Sequence, residues 1–392
     1  MISIVSRDKC CGCEACVQIC PTGCISLKED GEGFLFPQVD VKKCINCSKC
    51  DSVCPILNKI EPQPVSACYA YRTKNEELLK RTSSGGFFSY AAEKVLANRG
   101  VVFGAAFNDR NEVEHQFIES IEDLDRLRRS KYVQSRIGIS FIDCKRFLHD
   151  GRQVLFCGTP CQIKALNLFL GKKYENLVTI DFVCHGVPSP GVFRKYLLEL
   201  AECKKQNIEN LRNINFREKG GGFAFSFSFC FADSYYRETP NENAFLKGFL
   251  SDIYLRRSCY DCSAKKHTSG ADYTICDFWG VEYRMPDFPM KGMPGVNQVF
   301  IKNDNLMLFS SSVHEQAYIR DLNLKEKWVT PLWLRRSIPK TKRRRFFYNA
   351  YKRENISLFN LVTRWSRLLF YERVHLFFIR VIRKIQKVIG GL

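Results

Sequence analysis

The order of apolar and polar side chains along this chain predicts a core in which strands alternate with helices. Short apolar segments at residues 67–71, Val101–Phe107, Val154–Gly158 and 177–186 are typical of buried strands. The segment Phe87–Ala97, between the first two of them, has its apolar residues at helical spacing instead. Strands that alternate with helices favour an α/β sheet, and we expect the connecting loops to gather at one edge of it.

After Asn215 the spacing changes to one residue in two. Over residues 224–231, Phe alternates with Ala, Ser or Cys, which is typical of an antiparallel strand with one buried face. We therefore expect antiparallel hairpin strands, and hence α+β character, in the second half of the core.

The last fifty residues have a third pattern. A basic cluster at residues 340–345 is followed, from Arg364, by an amphipathic helical pattern, and no run approaches the ~18 apolar residues of a spanning helix. Such a helix suits an anionic membrane surface, or it packs on the protein with its charged face in water. The apolar stripe is Phe378, Ile382, Ile385 and Ile389, and the basic stripe is Arg373, Arg380, Lys384 and Lys387.

The net charge indicates which kinds of partner the protein binds, and the cysteine content indicates the compartment in which it resides. The chain has 60 Lys and Arg against 41 Asp and Glu, a formal charge of +19 that favours acidic partners. Nucleic acid is not expected, because no basic motif interleaved with aromatic residues is present. The N-terminal residues lack the apolar run of a signal peptide, so the 20 cysteines indicate a reducing, cytoplasmic protein, with the tail as a means of peripheral attachment to the inner face of the membrane.

Two copies of one cysteine spacing open the chain, each of the form Cys-x2-Cys-x2-Cys-x3-Cys-Pro. This is the spacing of bacterial two-cluster ferredoxins, in which three thiolates of one loop bind one [4Fe–4S] cluster and the fourth reaches the other cluster. Zinc sites pair CxxC with a second CxxC or with His, so the repeated four-cysteine pattern disfavours zinc. Cys11 and Cys24 lie outside the pattern and are not expected to be ligands. The predicted ligands are Cys10, Cys13, Cys16 and Cys54 for the first cluster, and Cys20, Cys44, Cys47 and Cys50 for the second.

Four further cysteines lie in turns of the predicted core. Cys161 follows Gly-Thr-Pro, Cys184 precedes His-Gly, and Cys259 and Cys262 form a CxxC pair. Four thiolates brought together from strand ends predict a third [4Fe–4S] cluster. The alternative is a set of free cysteines, which are common in protein cores.

Two glycine-containing turns are candidates for binding phosphate groups. The turn Ser83, Ser84, Gly85 and Gly86 precedes the predicted helix, whose backbone N–H groups suit an anion, although such turns are as often simple helix caps. Gly158 and Thr159 form a similar turn. Neither a GxGxxG nor a GxxxxGK[ST] motif is present. His185 is a candidate for proton transfer or for a hydrogen bond to a cluster, and an ordinary loop histidine is the alternative.

Six motifs in order resemble one family. They are SSGG at 83–86, SKYVQS at 130–135, GTPCQ at 158–162, DFVCHGVPSP at 181–190, FREKGGG at 216–222, and SCYDC with ADYTICDFWG within 258–280. Together they are similar to the coenzyme F420 hydrogenase/dehydrogenase beta subunit family, here joined to an N-terminal dicluster ferredoxin. The resemblance covers residues 1–340.

The sequence pattern and the resemblance together predict an α+β fold with three parts, of which the resemblance covers the first two. They are a small two-cluster ferredoxin-like domain (1–60), a mixed α/β flavoprotein core that holds FAD beside a [4Fe–4S] cluster (66–340), and a basic helical tail (341–392). It also supports the four core cysteines as cluster ligands. Two departures are visible: Cys276 replaces a usual Gly before Asp-Phe-Trp-Gly, and residues 264–269 are unusually basic.

The expected activity is electron transfer between clusters and an organic hydride donor or acceptor, through FAD. Coenzyme F420 or a substrate of polysaccharide synthesis is the expected small molecule, and a redox protein is the expected partner. Lys131, Arg217 and Lys219 lie in the recurring loops and are candidates for binding flavin or substrate phosphates, with ordinary surface positions as the alternative. His185 and Lys131 are the catalytic candidates. The alternative function is a non-catalytic electron-transfer subunit that carries clusters only.

Overall fold

The computed structural model describes most of the chain, and its secondary structure alternates strands with mostly short helices. The described residues are 2, 5–220, 223–232, 234–290, 292, 294–302, 308, 313–353 and 356–367. Their strands are β1 (Ile25–Glu29), β2 (Leu35–Val39), β3 (Val65–Thr73), β4 (Val101–Phe107), β5 (Val113–Ile118), β6 (Val154–Gly158), β7 (Leu177–Phe182), β8 (Leu211–Gly220), β9 (Phe223–Phe231), β10 (Ser234–Glu238), β11 (Tyr273–Asp277), β12 (Asn297–Lys302) and β13 (Ala317–Asp321). Their α-helices are α1 (Ala15–Gln18), α2 (Lys49–Ser52), α3 (Glu76–Lys80), α4 (Phe87–Ala97), α5 (Leu124–Leu127), α6 (Ser140–His149), α7 (Pro160–Leu170), α8 (Pro190–Lys204), α9 (Ala244–Leu250), α10 (Val281–Arg284), α11 (Val313–Gln316), α12 (Leu332–Arg335), α13 (Lys342–Tyr351) and α14 (Leu358–Trp365).

The N-terminal module is a hairpin with two one-turn helices. Strands β1 and β2 pair antiparallel, with Ile25 opposite Val39. Helices α1 and α2 each follow a cysteine loop and contact each other. The small buried cluster of this module combines Ile2 and Ile25 with cysteines, which fits a module too small to be held by apolar packing alone.

An eight-stranded mixed sheet is the centre of the larger part, with the order β13-β3-β12-β11-β7-β6-β4-β5. Strands β4, β6, β7 and β11 run parallel to one another, and β3 points the same way because two antiparallel pairings separate it from β11. Five strands therefore end at one edge of the sheet. The predicted alternation of strands and helices is confirmed, although β7 ends at Phe182 rather than at residue 186.

The phenylalanine-rich segment forms the middle strand of a separate antiparallel sheet. Its order is β10-β9-β8, and Phe227, Phe229 and Phe231 of β9 are fully buried. The Phe227 ring packs edge-on against Tyr196 of helix α8, and Tyr196 packs in turn against Phe245 of helix α9 in the same buried cluster. The predicted antiparallel hairpin, and with it the mixed α+β fold class, is confirmed.

The first part of the predicted tail packs on helices α8 and α9, which cover this second sheet. Phe347 of α13 and Leu361 of α14 belong to the same buried cluster as the phenylalanines of β9. The apolar and basic stripes predicted for the tail fall within residues 368–392, which lie outside the described residues. Within the described part, no helix has both the length and the apolar character needed to cross a membrane.

Candidate functional site

Most of the sequence motifs lie at the carboxyl edge of the central sheet. The turn at residues 82–86 follows β3, Thr159 follows β6, Cys184 follows β7, and Trp279 follows β11. Loops at the carboxyl ends of parallel strands are where open α/β sheets bind ligands. The local sequence explains this arrangement, because each buried apolar strand ends where glycine, proline or polar residues begin.

The first cysteine set of the N-terminal module encloses one cavity. All four predicted ligands, Cys10, Cys13, Cys16 and Cys54, line it, and most of the remaining wall is apolar. Burial, and the nearby Cys10, Cys54 and Cys50 thiols, raise the pKa of Cys16 to about 12. Iron would replace the thiol proton at these positions, since only the thiolate is a metal ligand.

The two cysteine loops share an unusual backbone conformation. Gly12 and Glu14 of the first loop have φ values of 69° and 60°, and Asn46 and Ser48, at the corresponding positions of the second loop, have 53° and 57°. Left-handed residues between right-handed ones turn successive N–H groups to one side of the loop, which is a geometry that binds anions and iron–sulfur clusters. Both loops therefore fit a cluster by backbone shape as well as by thiol placement.

The second cysteine set encloses another cavity, farther from the central sheet. Cys20, Cys44, Cys47 and Cys50 line it, together with Cys24, whose Sγ lies 3.4 Å from that of Cys20. Cys47 is exposed, so this cavity reaches the protein surface. Spacing alone had given no reason to expect Cys24 at a cavity wall.

The four core cysteines line a third cavity, at the carboxyl edge of the sheet. Cys161, Cys184, Cys259 and Cys262 all contribute to its wall. Backbone N–H groups already donate to two of these sulfurs, from Val187 to Cys259 Sγ at 3.5 Å and from Ala264 to Cys262 Sγ at 3.4 Å. Such N–H···S contacts are of the kind that adjust the potential of a bound cluster. The donor set therefore fits a [4Fe–4S] group.

Cys11 lies at the junction of the first and third cavities, where the sequence spacing gave it no role. It lines both of them, as does Ile56, and its thiol is hydrogen-bonded to those of Cys13 and Cys161. Cys11 reaches this junction because the ferredoxin module docks on the core. The spacing of cysteines along the chain does not encode that docking. Among the described residues, no three His, Cys, Asp or Glu side chains form a group that could hold a single metal ion. The cysteines are instead spread around the three cavity walls.

The two sequence departures have separate locations. Cys276 is not at the wall of the core cavity: its Sγ donates to Gln298 Oε1 at 3.3 Å, and burial, reinforced by Asp277, raises its pKa. Lys265, from the basic segment 264–269, does line the core cavity and donates to the Cys184 carbonyl oxygen at 2.6 Å. Lys265 of this unusually basic segment therefore places a positive charge beside the core cysteines.

His185 lies at the wall of the core cavity and is held by a carboxylate. Its Nε2 is 2.5 Å from Asp252 Oδ1, and its ring packs edge-on against Phe249 and Trp333. Asp252 and the two rings fix the orientation of the imidazole. The residue that holds His185 was not identified from the sequence, because Asp252 is in no motif.

The turn at residues 83–86 has its side chains bonded within the protein. Ser84 Oγ is buried and donates to the Val296 carbonyl oxygen at 2.9 Å, and Ser83 Oγ accepts from the Ser130 N–H at 2.8 Å. A Cβ atom at Gly85 would lie 2.2 Å from the Tyr71 carbonyl oxygen, so close packing requires glycine there. These contacts give the motif a structural role beside its predicted phosphate-binding one.

Three cationic side chains of the recurring loops are largely withdrawn from water. Arg217 Nη1 binds Asp277 Oδ2 at 2.6 Å, while its Nε is buried and has no hydrogen-bond partner among the residues that the structure describes. Lys219 Nζ donates to the Ser84 carbonyl oxygen at 2.7 Å, and Lys131 Nζ to that of Arg128 at 2.7 Å. Burial lowers the pKa of each lysine to about 7, reinforced by Arg217 for Lys219 and by Arg129 for Lys131. A bound anion would satisfy the free guanidinium N–H, so this group fits a phosphorylated cofactor.

The Gly158–Thr159 turn is a helix start connected to the SKYVQS loop. Thr159 N–H and Oγ1–H both donate to Gln162 Oε1 at 2.9 Å, and Gln162 Nε2 donates to Ser135 Oγ at 3.0 Å. Ser135 Oγ lies 3.0 Å from Nδ1 of the buried His115. This chain of bonds fixes the start of α7, which carries Cys161.

Comparisons with known proteins match two segments of the chain. Residues 151–327 match the family model that describes the C terminus of the coenzyme F420 hydrogenase/dehydrogenase beta subunit, and residues 9–57 match the 4Fe-4S dicluster domain. A chain of the F420-reducing [NiFe] hydrogenase complex from Methanosarcina barkeri, studied as a xenon derivative, is similar over 66% of this chain and 83% of that one, at 16% identity and a TM-score of 0.43. No curated protein gives a significant match.

Proposed function

Because the chain belongs to the coenzyme F420 hydrogenase/dehydrogenase beta subunit family over residues 151–327 and carries a 4Fe-4S dicluster domain over residues 9–57, we propose that it is an iron–sulfur flavoprotein oxidoreductase. It transfers electrons between the two ferredoxin clusters and an organic hydride donor or acceptor, with coenzyme F420 as the first candidate. FAD and a third [4Fe–4S] cluster, held by Cys161, Cys184, Cys259 and Cys262, are part of the proposal.

The observation that carries the proposal is the contact between the core cavity and the first ferredoxin cavity. Cys11 and Ile56 line both, so that a group in the core cavity and the first ferredoxin cluster would be separated by a single layer of side chains. The second cavity, with its exposed Cys47, completes a path from the surface to the sheet edge. A chain that only carried ferredoxin clusters would not need four more cysteines at the end of that path.

A bound flavin supplies the exchange between hydride and single-electron transfer. Arg217 would bind an acidic group of the flavin through its unpaired Nε, and Lys131 and Lys219 would add positive charge at the same edge. His185, whose Nε2 is held by Asp252, would exchange a proton with the substrate at the mouth of the core cavity. The apolar and aromatic wall, including Phe182 and Trp333, would exclude water from that site.

Iron and flavin content per chain after anaerobic purification tests the proposal. About 12 iron atoms and one flavin are expected from three four-iron clusters and FAD. About 8 iron atoms without flavin would contradict it and favour a non-catalytic electron-transfer subunit. If flavin is present, reduction by F420H2 and by other hydride donors then identifies the substrate class.

Cysteine variants separate the clusters. Cys262→Ser should lose about 4 iron atoms and keep the ferredoxin pair, whereas Cys50→Ser should lose the second ferredoxin cluster and keep the flavin. Cys276→Ser is the matched control, because this buried cysteine lies outside the wall of the core cavity. Full iron content in Cys262→Ser would contradict the third cluster and leave the dicluster domain intact.

We further propose a cytoplasmic protein that receives electrons from a redox partner and rests on the inner face of the membrane through residues 368–392. The basic and apolar stripes of that segment are the support for this location. Sedimentation with anionic and neutral vesicles, using the full chain and a variant that ends at residue 367, is the test. Equal sedimentation of both forms with anionic vesicles would contradict the attachment.

A further inference from the structure

One arginine lies where the ferredoxin module meets the core. Arg256, directly before the Cys259–Cys262 pair, is 1% exposed. Its Nε donates to the Cys10 carbonyl oxygen at 2.7 Å and its Nη2 to that of Leu35 at 2.9 Å. Its Nη1 donates to Gln134 Oε1 at 3.0 Å, and its guanidinium stacks 4.3 Å from the centre of the Phe36 ring. The contacts with strand β2 and Gln134 hold the guanidinium in place, and the bond to Cys10 puts it against the first cysteine loop.

This buried charge has no carboxylate partner. Among the described residues, no Asp or Glu oxygen lies within 4 Å of Arg256, whereas the neighbouring Arg257 and Arg344 both bind Glu32. A buried charge without a counter-charge is costly, so an anionic cluster on the first cysteine loop would be a favourable neighbour for Arg256. The nearest ligand sulfur is Cys10 Sγ, which lies 3.7 Å from Nη2.

The second cysteine loop lacks an equivalent group among the described residues. Cys44 Sγ, at the position corresponding to Cys10, contacts Asn46 Oδ1 at 3.7 Å, and Cys50 Sγ contacts the Asp51 carboxylate at 3.7 Å. Lys42, Lys43 and Lys49 near this loop are exposed, so water screens their charge. Glu14 also lines the first cavity, but its buried carboxylate is bonded to Arg136 and to the Gly138 N–H. The first site therefore has a desolvated arginine without a carboxylate partner beside it, and the second site has the Asp51 carboxylate.

We propose that Arg256 holds the reduction potential of the first ferredoxin cluster above that of the second. One-electron reduction adds one negative charge to a cluster, and a fixed positive charge in a medium of low dielectric stabilises the reduced form. With both clusters bound, this charge difference would favour electron transfer from the exposed second site to the first. Arg256 is a positioning and tuning residue, and the inference rests on the dicluster domain alone, not on the proposed flavin or third cluster.

A potentiometric titration followed by electron paramagnetic resonance tests this on the full, cluster-loaded chain. In Arg256→Met, the reduction potential of the first cluster should fall by about 59 mV or more. For one electron, this corresponds to a tenfold change in the ratio of reduced to oxidised cluster. Arg256→Lys, which keeps the charge, should shift it less. Arg257→Met is the control, because Glu32 and Asp8 already balance that neighbouring arginine. The couple that disappears in Cys50→Ser identifies the second cluster.

A second variant keeps the test decisive if Arg256→Met does not fold. Gln134→Glu places a carboxylate against Nη1 and neutralises the arginine without removing it, and Gln134→Met removes the same hydrogen bonds without adding charge. A negative shift of the first couple in Gln134→Glu, absent in Gln134→Met, supports the proposal. Unchanged couples in Gln134→Glu, or equal shifts of both couples, overturn it. Neither result depends on whether the chain binds flavin.

Discussion

At the scale of single residues, one motif position, Gln134, connects the two modules, and others connect loops within the core. Gln134 binds both Arg256 and the Cys11 carbonyl oxygen, and Gln162 binds Ser135, which binds His115. The ferredoxin cysteines could be predicted from spacing, because cluster geometry imposes that spacing. The role of Gln134 could not, because its partners are distant in sequence and meet only after the module docks.

His115 gives a prediction for acid stability. Its Nε2 donates to the Cys157 carbonyl oxygen at 3.1 Å and its Nδ1 accepts from Ser135, so the buried ring is neutral. Burial lowers its pKa from 6.5 to about 4, with Lys131 adding to the effect. The unfolded chain therefore takes up the proton first, and about 3 kcal/mol of stability is lost as the pH falls from 6.5 to 4.

The measurement is the thermal midpoint under anaerobic conditions between pH 4 and 7. His115→Gln should flatten the decrease in the midpoint across this range, because the replacement does not titrate. Ser135→Ala removes a hydrogen bond of the ring but keeps the histidine, so it should lower the midpoint at every pH and retain the slope. An identical slope in wild type and His115→Gln would contradict this account.

At the scale of elements, helix α8 shows what a pattern predicts and what it omits. Its start at Ser189 follows an ordinary rule, since Ser189 Oγ accepts from the Val192 N–H and Pro190 takes the first helical position. The pattern gives no indication that the β1–β2 hairpin rests on this start. Gly191 N–H donates to the Gly33 carbonyl oxygen at 3.1 Å, and Ser189 Oγ donates to that of Glu32 at 2.6 Å.

Gly191→Ala should weaken the docking of the hairpin although alanine favours a helix. The added Cβ would lie 2.6 Å from the Gly33 Cα, a backbone atom that has no room to yield. Overpacking of this kind costs about 1–3 kcal/mol, which exceeds the gain of at most about 1 kcal/mol from helix propensity. The free energy of unfolding should therefore fall by about 1–2 kcal/mol.

Denaturant unfolding of the cluster-loaded chain measures the effect. Arg194→Ala is the matched control, because Arg194 joins the same helix to the hairpin only through an exposed ion pair with Glu29, worth about 0–1 kcal/mol. A Gly191→Ala variant as stable as the wild type would show that the hairpin can move away from the helix without loss.

At the scale of the whole molecule, the parts are predictable from local patterns, whereas their order depends on docking. Spacing predicts two clusters, and turn position predicts four more cysteines at the sheet edge. Which cluster faces the core depends on contacts that no local pattern contains. Likewise, the basic cluster at residues 340–345 suggests a charged surface, but Arg343 is buried, and the half-buried Arg344 binds Glu32 of the ferredoxin module.

Glu32 should therefore control the docking of the module as a whole. It is 4% exposed, and although burial alone would raise its pKa, the hydrogen bonds from Arg257 and Arg344 outweigh that effect and lower it. The carboxylate thus contributes stability above its unfolded pKa and loses it as the pH falls through the folded value. Glu32→Gln leaves Arg344 without its carboxylate and Arg257 with only the exposed Asp8, so the free energy of unfolding should fall by about 3 kcal/mol.

The loss should be localised to the interface between the modules. Limited proteolysis of the linker at residues 60–65 should become faster in Glu32→Gln, since a module that separates transiently exposes the linker. Asp8→Asn provides the comparison, because Asp8 binds the same Arg257 at the surface, where one ion pair contributes about 0–1 kcal/mol. If linker cleavage is equally fast in Glu32→Gln and wild type, the buried Glu32 cluster does not hold the module, and docking depends on Arg256 and the hairpin contacts instead.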